Sequence, residues 1–153
     1  MASNKFPVKR LILHGEEALE QSKDKGKNKI TILGETICFG KYSKMIDLYY
    51  KFNESEKELS EGAVYNLIRI ENQKPSKNGQ EKMKKGAFVL PNADPYIKYS
   101  IARNWKGDKE KRDEFIKDLI EASDEGYLKT SVALHSLYRR YFKGNQKGDE
   151  NVE

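Results

Sequence analysis

Residues 126–148 carry five cations and no carboxylate. Lys129, Arg139, Arg140 and Lys143 are four of those cations. At about 100° per helical residue they fall, with Ser136, inside one sector of roughly 100°. Leu134, Leu137, Tyr138 and Tyr141 fall on the opposite side. A helix over 127–142 is therefore expected to bury the second group and present a carboxylate-free cationic stripe. Residues 95–106 divide in a similar way: Tyr99, Arg103 and Lys106 share one face at i, i+4 and i+7, and Ile97, Ile101 and Trp105 share the other. Lys82, Lys84 and Lys85 add three more cations in a segment almost empty of apolar residues. The chemistry this suits is contact with a polyanion. Phosphates repeat along a nucleic-acid strand, so a line of cations releases several counterions together. Arginine can grip one phosphate through two parallel hydrogen bonds, and a nearby tyrosine can stack on an unpaired base. The competing explanation is that such lysines and arginines are the ordinary dress of a solvated helix.

Residues for bond-making chemistry are scarce. His14 and His135 are the only histidines, and His135 lies beside the apolar sector, where a buried or rim histidine is expected. Arg10 and His14 are closer than the Arg-x4–6-His spacing of helical ribonucleases. Cys38 has no second cysteine to share a zinc ion or a disulfide, and its apolar surroundings suggest a small core residue. No Gly-rich phosphate loop and no Gly-x-Ser-x-Gly elbow occurs. Asp113, Glu114, Asp118 and Glu121 are crowded enough to suggest Mg²⁺, but Lys109, Lys111, Arg112 and Lys117 interleave with them and imply surface ion pairs instead. No catalytic residue, metal or cofactor is expected.

The elements that must position these faces can be read from the same chain of 153 residues. Pro7 opens a helix over 7–22. Residues 29–39 read KITILGETICF, a β-hairpin about a Gly34-Glu35 turn, with a helix as the open alternative. Helices follow at 41–52, at 60–71 behind a Ser60 cap, at 94–106 from Asp94-Pro95 to a Gly107 stop, at 108–124 behind Asp108, and at 127–142. The expectation is a mainly α protein: a bundle of five to six helices with a hairpin near 30–39. It forms a single helical domain over 1–143, with a flexible Lys-rich loop at 72–86 and a disordered tail at 144–153. Charged residues make up 35% of the chain and the net charge is +5, so the surface is crowded and the core lean. No apolar run approaches the roughly 18 residues of a membrane span, and Leu11-Ile12-Leu13 is too short for a secretory leader. The expected compartment is a reducing cytoplasm, with no membrane contact.

Tyr99-Ser100-Ile101-Ala102-Arg103 is similar to a Tyr-x-Ala-x-Arg stretch. Val132-Ala133-Leu134-His135-Ser136-Leu137-Tyr138, with Tyr141 and Gly144 after it, is similar to an ending Ala-Tyr-His-x-x-Tyr with a late glycine. On these two motifs, residues 95–144 resemble the small helical subunit of type III CRISPR effector complexes, an antiviral defence assembly. The resemblance implies a non-catalytic protein stacked in copies along a ribonucleoprotein, its basic face along target RNA and Arg103 facing or positioning that RNA. The hairpin at 30–39 and the loop at 72–86 lie outside that pattern. The residues themselves point to a non-enzymatic nucleic-acid backbone binder, and the resemblance adds the expectation of RNA before DNA and of other protein subunits beside it. Two alternatives stand beside it. One is a protein–protein adaptor that docks the acidic segment 108–125 on a basic neighbour; the other is a small nuclease using a metal or His135.

Overall fold

A computed structural model of the chain describes residues 8–24, 26, 28–74 and 90–143, with the side chains of 8–11, 142 and 143 left aside. Six α-helices and one two-stranded hairpin make up the described residues, which is the mainly α bundle the sequence implies. The contacts group into two compact units, 1–43 and 44–153, where the sequence suggests one domain over 1–143. The loop lysines Lys82, Lys84 and Lys85 and the tail 144–153 lie outside the described residues.

The first unit holds α1 (Val8–Asp24), β1 (Lys29–Ile32), β2 (Glu35–Cys38) and a short 3-10 turn, Phe39–Lys41. The hairpin forms, one residue out from the expected turn. Leu33 and Gly34 are its two loop residues, at φ 52° and 82°, and Ile32 pairs with Glu35. A tight hairpin wants positive φ at both central positions so that its twist matches the strands, and glycine supplies that cheaply at the second. The register pairs Thr31 with Thr36 and Ile30 with Ile37. Ser22, Thr31 and Thr36 join through hydroxyl hydrogen bonds of 2.8 and 2.9 Å, which fasten α1 to the hairpin. Ile37 is buried. Cys38 is exposed, not the core residue expected: it follows Ile37, and successive strand side chains point to opposite faces.

The second unit is built from α2 (Tyr42–Glu54), α3 (Glu61–Asn72), α4 (Asp94–Asn104), α5 (Lys109–Glu125) and α6 (Leu128–Tyr138), which runs on into a π-helical turn, Arg139–Lys143. Each helix contributes one stripe to a common core: Met45, Leu48 and Phe52 from α2; Val64, Leu67 and Ile70 from α3; Ile97 and Ile101 from α4; Phe115 and Leu119 from α5; Leu128 and Val132 from α6. The caps follow local chemistry. Ser60 Oγ accepts from the Ala63 amide, and Asp108 Oδ1 accepts from the amides of Glu110 and Lys111. Those bonds hold the Asp108 carboxyl below its ordinary pKa. Gly126 ends α5 at φ 82°, a conformation that suits glycine.

Both ends of α4 differ from the expectation. Asp94 is the first helical residue and not the cap; the N-cap is Ala93, without a side-chain cap bond, and Asn92 Oδ1 accepts from the Asp94 amide at 3.0 Å. The helix stops at Asn104 because Trp105 turns extended and forms a β-bridge with Leu59. The Lys106 amide then donates to the Glu58 carbonyl at 2.9 Å. Gly107 follows from that crossing and not from helix capping. A Cβ built there would stand 2.4 Å from Glu58 Cγ and 3.1 Å from Trp105 Nε1. Gly107→Ala is therefore expected to lose about 1–3 kcal/mol through overpacking. Urea unfolding checks this, and a variant as stable as the parent would show that the crossing yields to an added methyl group.

Candidate nucleic-acid interface

On α6 the buried side is Leu128, Ser131, Val132 and His135. It meets α2 closely: Ser131 Oγ donates to the Met45 carbonyl at 3.0 Å, and the His135 ring stacks on Phe52 with centroids 5.4 Å apart. His135 Nδ1 lies 2.7 Å from Asn53 Oδ1, which suits a neutral imidazole carrying its hydrogen on Nδ1. Burial pushes its pKa down to about 4; the charge of Arg139 adds to the fall and Glu61 opposes it.

This docking corrects the expected stripe. Arg139 lies four residues on from His135, seven from Val132 and eleven from Leu128, so it continues the core side of the helix. Its Nε donates to Glu56 at 2.9 Å and its Nη2 to Glu61 at 2.7 Å. The guanidinium is tied off by carboxylates from the turn before α3 and from the first residue of α3. Lys129 is half-buried and has an interaction partner within the chain. Arg140 is exposed and carries no ion pair among the described residues. The side chain of Lys143 is not among those described. Leu137, Tyr138 and Tyr141, expected in the core, are 39%, 36% and 54% exposed, and Leu134 is half-exposed. Weighing residues by apolarity misled the expectation, because the side that packs carries the polar Ser131 and His135, whose hydrogen bonds are made inside, to the Met45 carbonyl and to Asn53.

The outer face of α4 is present. Tyr99 is 65% exposed, and Arg103 Nη1 donates to its hydroxyl at 3.2 Å. The i, i+4 spacing brings the guanidinium to the edge of the phenol while Ile97 and Ile101 hold the opposite side at zero exposure. Lys106 is exposed but lies past the end of the helix, on the chain that crosses Glu58. Sequence reasoning passed over Tyr96, which is 46% exposed and lies three residues before Tyr99 on the same face. The i, i+3 spacing was the available signal.

The acidic residues of α5 are drawn off mostly by α2 and not by their own helix. Lys44 bonds Glu121 and Glu125 at 2.8 and 2.9 Å, and Lys51 bonds Asp118. Within α5, Arg112 bonds Asp113 at 2.8 Å. No group of three or more metal-ligating side chains occurs among the described residues. No helix among them is long and apolar enough to cross a membrane. No family model, curated protein or solved structure matches the chain.

Proposed function

We propose that the chain is a non-enzymatic protein that binds the phosphate backbone of single-stranded nucleic acid, RNA before DNA, through the outer face of α4. The observation that carries the reading is the exposed Tyr99 ring with the Arg103 guanidinium at its edge. A ring open to solvent offers a stacking surface for an unpaired base, and a guanidinium beside it offers paired donors to the adjoining phosphate. Lys98, Lys106 and Arg140 extend the cation supply as exposed side chains. Little sequence preference is expected, because stacking and phosphate contact read no base edge. The resemblance of 95–144 to a CRISPR effector subunit, in which Arg103 would position or face the RNA, supports the same residue and a setting within a ribonucleoprotein.

The test is anisotropy of labelled single-stranded RNA and DNA at low salt. Tyr99→Ala is expected to weaken binding by about 1–3 kcal/mol, roughly 5- to 150-fold. An unchanged affinity in Tyr99→Ala removes the stacking role, and no binding at low salt removes the function. A second reading, assembly subunit without nucleic acid, is favoured by the exposed Leu137, Tyr138 and Tyr141 on α6 and its π-helical turn, since aromatic groups of this kind anchor protein interfaces. That reading predicts protein capture from the host that survives nuclease treatment and is lost in Leu137→Asp.

A further inference from the structure

A cleft of about 250 Å³ opens where the end of α2, the turn 55–58, Trp105 and the first half of α5 meet. Trp105 and Phe115 form its aromatic wall, with ring centroids 5.5 Å apart and planes at 36°. Both rings are fixed from behind. The Trp105 indole N–H donates to the Asp108 carbonyl at 2.9 Å, and Phe115 meets Phe52 edge-on at 5.2 Å.

The charged lining is unbalanced. Glu54 and Glu58 come from the α2 side, and Glu114 and Asp118 from α5. Lys51 and Lys111 oppose them, and Lys51 is already bonded to Asp118. That leaves Lys111 facing three carboxylates. Glu58 adds an independent observation: its Oε2 is closed off from solvent and accepts no hydrogen bond. An enclosed carboxylate oxygen without a donor is costly, and turning the Glu58 carboxylate toward a donor in the cleft would relieve it. The lysine reports the same field: the hydrogen bond to Asp118 raises the Lys51 pKa, partial burial opposes it, and the charges of Asp118, Glu114 and Asp47 add to the rise.

We propose that this cleft binds the guanidinium group of an arginine side chain presented by a partner protein. A guanidinium is flat, so it can lie on the indole while its edge donates to carboxylates on both sides. An ammonium is a strongly hydrated point charge and cannot satisfy opposed carboxylates in one plane. The volume is below that of the usual small-molecule pocket and suits one side chain. No residue lining the cleft belongs to the proposed nucleic-acid face, so the proposal stands or falls independently of nucleic-acid binding.

Trp105 is the sole tryptophan, so its emission reports the cleft directly. The full chain is titrated with N-acetyl-arginine amide at constant ionic strength. The expected result is a saturable emission change with half-saturation on the order of 1 mM, about −4 kcal/mol. N-acetyl-citrulline amide, neutral and of nearly the same shape, is expected to give none. Glu58→Gln is expected to weaken the response at least tenfold. Should that variant fail to fold, Glu114→Gln at the exposed rim is expected to weaken it at least threefold. No saturation, an equal response to citrulline, or an unchanged response in Glu114→Gln overturns the proposal. Spermidine binding more tightly than the arginine amide overturns the guanidinium assignment in favour of a free polyamine.

Discussion

Phe52→Ala is expected to destabilise the second unit by about 3–5 kcal/mol, the usual range for removing a buried phenyl ring. Phe52 is 1% exposed and stands at the centre of a series of rings. His135 stacks on one side of it at 5.4 Å, Phe115 meets it edge-on at 5.2 Å, and Trp105 leans on Phe115 at 5.5 Å. One deletion therefore loosens α2, α5 and α6 together and leaves Phe115, on which the indole leans, without backing. Denaturant unfolding followed by Trp105 fluorescence gives the number. A loss under 1 kcal/mol would mean that the neighbouring rings collapse into the gap.

The second large effect is acid loss of stability through His135. The imidazole is held neutral in the fold, with its pKa depressed to about 4 chiefly by burial. The unfolded chain binds the proton near 6.5. Between those values the unfolded state carries more protons, so stability rises with pH. The contribution is complete above about 6.5 and is lost as pH falls through about 4, amounting to roughly 3 kcal/mol at most. The Arg139 charge steepens the penalty for a second cation beside it. Unfolding free energies measured at several pH values from 7 to 4 are expected to fall in the parent and to fall less, by about that amount, in His135→Gln. Parallel curves for the two proteins would remove His135 as the cause.

Most features set by neighbours in sequence were legible, and several set by docking were not. Ser60, Asp108 and Gly126 could be read as caps because a cap is decided within a few residues. The hairpin was legible from its β-branched run and its glycine, but its turn fell one residue early, because either Leu33 or Glu35 could accompany Gly34. Trp105 looked like a helix residue until the chain crossing at Leu59 pulled it extended, an interaction no local pattern announces. On α4 the division into Ile97 and Ile101 inside and Tyr99 and Arg103 outside needed only spacing. On α6 spacing was not enough, because the buried side carries Ser131 and His135 while Leu137 and Tyr141 stay outside. Arg139 was assigned to solvent for that reason. Its partners Glu56 and Glu61 come from distant sequence, so only the folded chain reveals the pairing.

The most direct measurement is the slope of log binding constant against log salt for single-stranded RNA, compared among the parent, Arg103→Gln and Arg139→Gln. Each cation on a phosphate adds about 0.7 to the slope on a single strand. If the α4 face holds the polyanion and Arg139 belongs to its carboxylates, Arg103→Gln lowers the slope by about 0.7 and Arg139→Gln leaves it unchanged. A slope lowered by Arg139→Gln and untouched by Arg103→Gln contradicts the account.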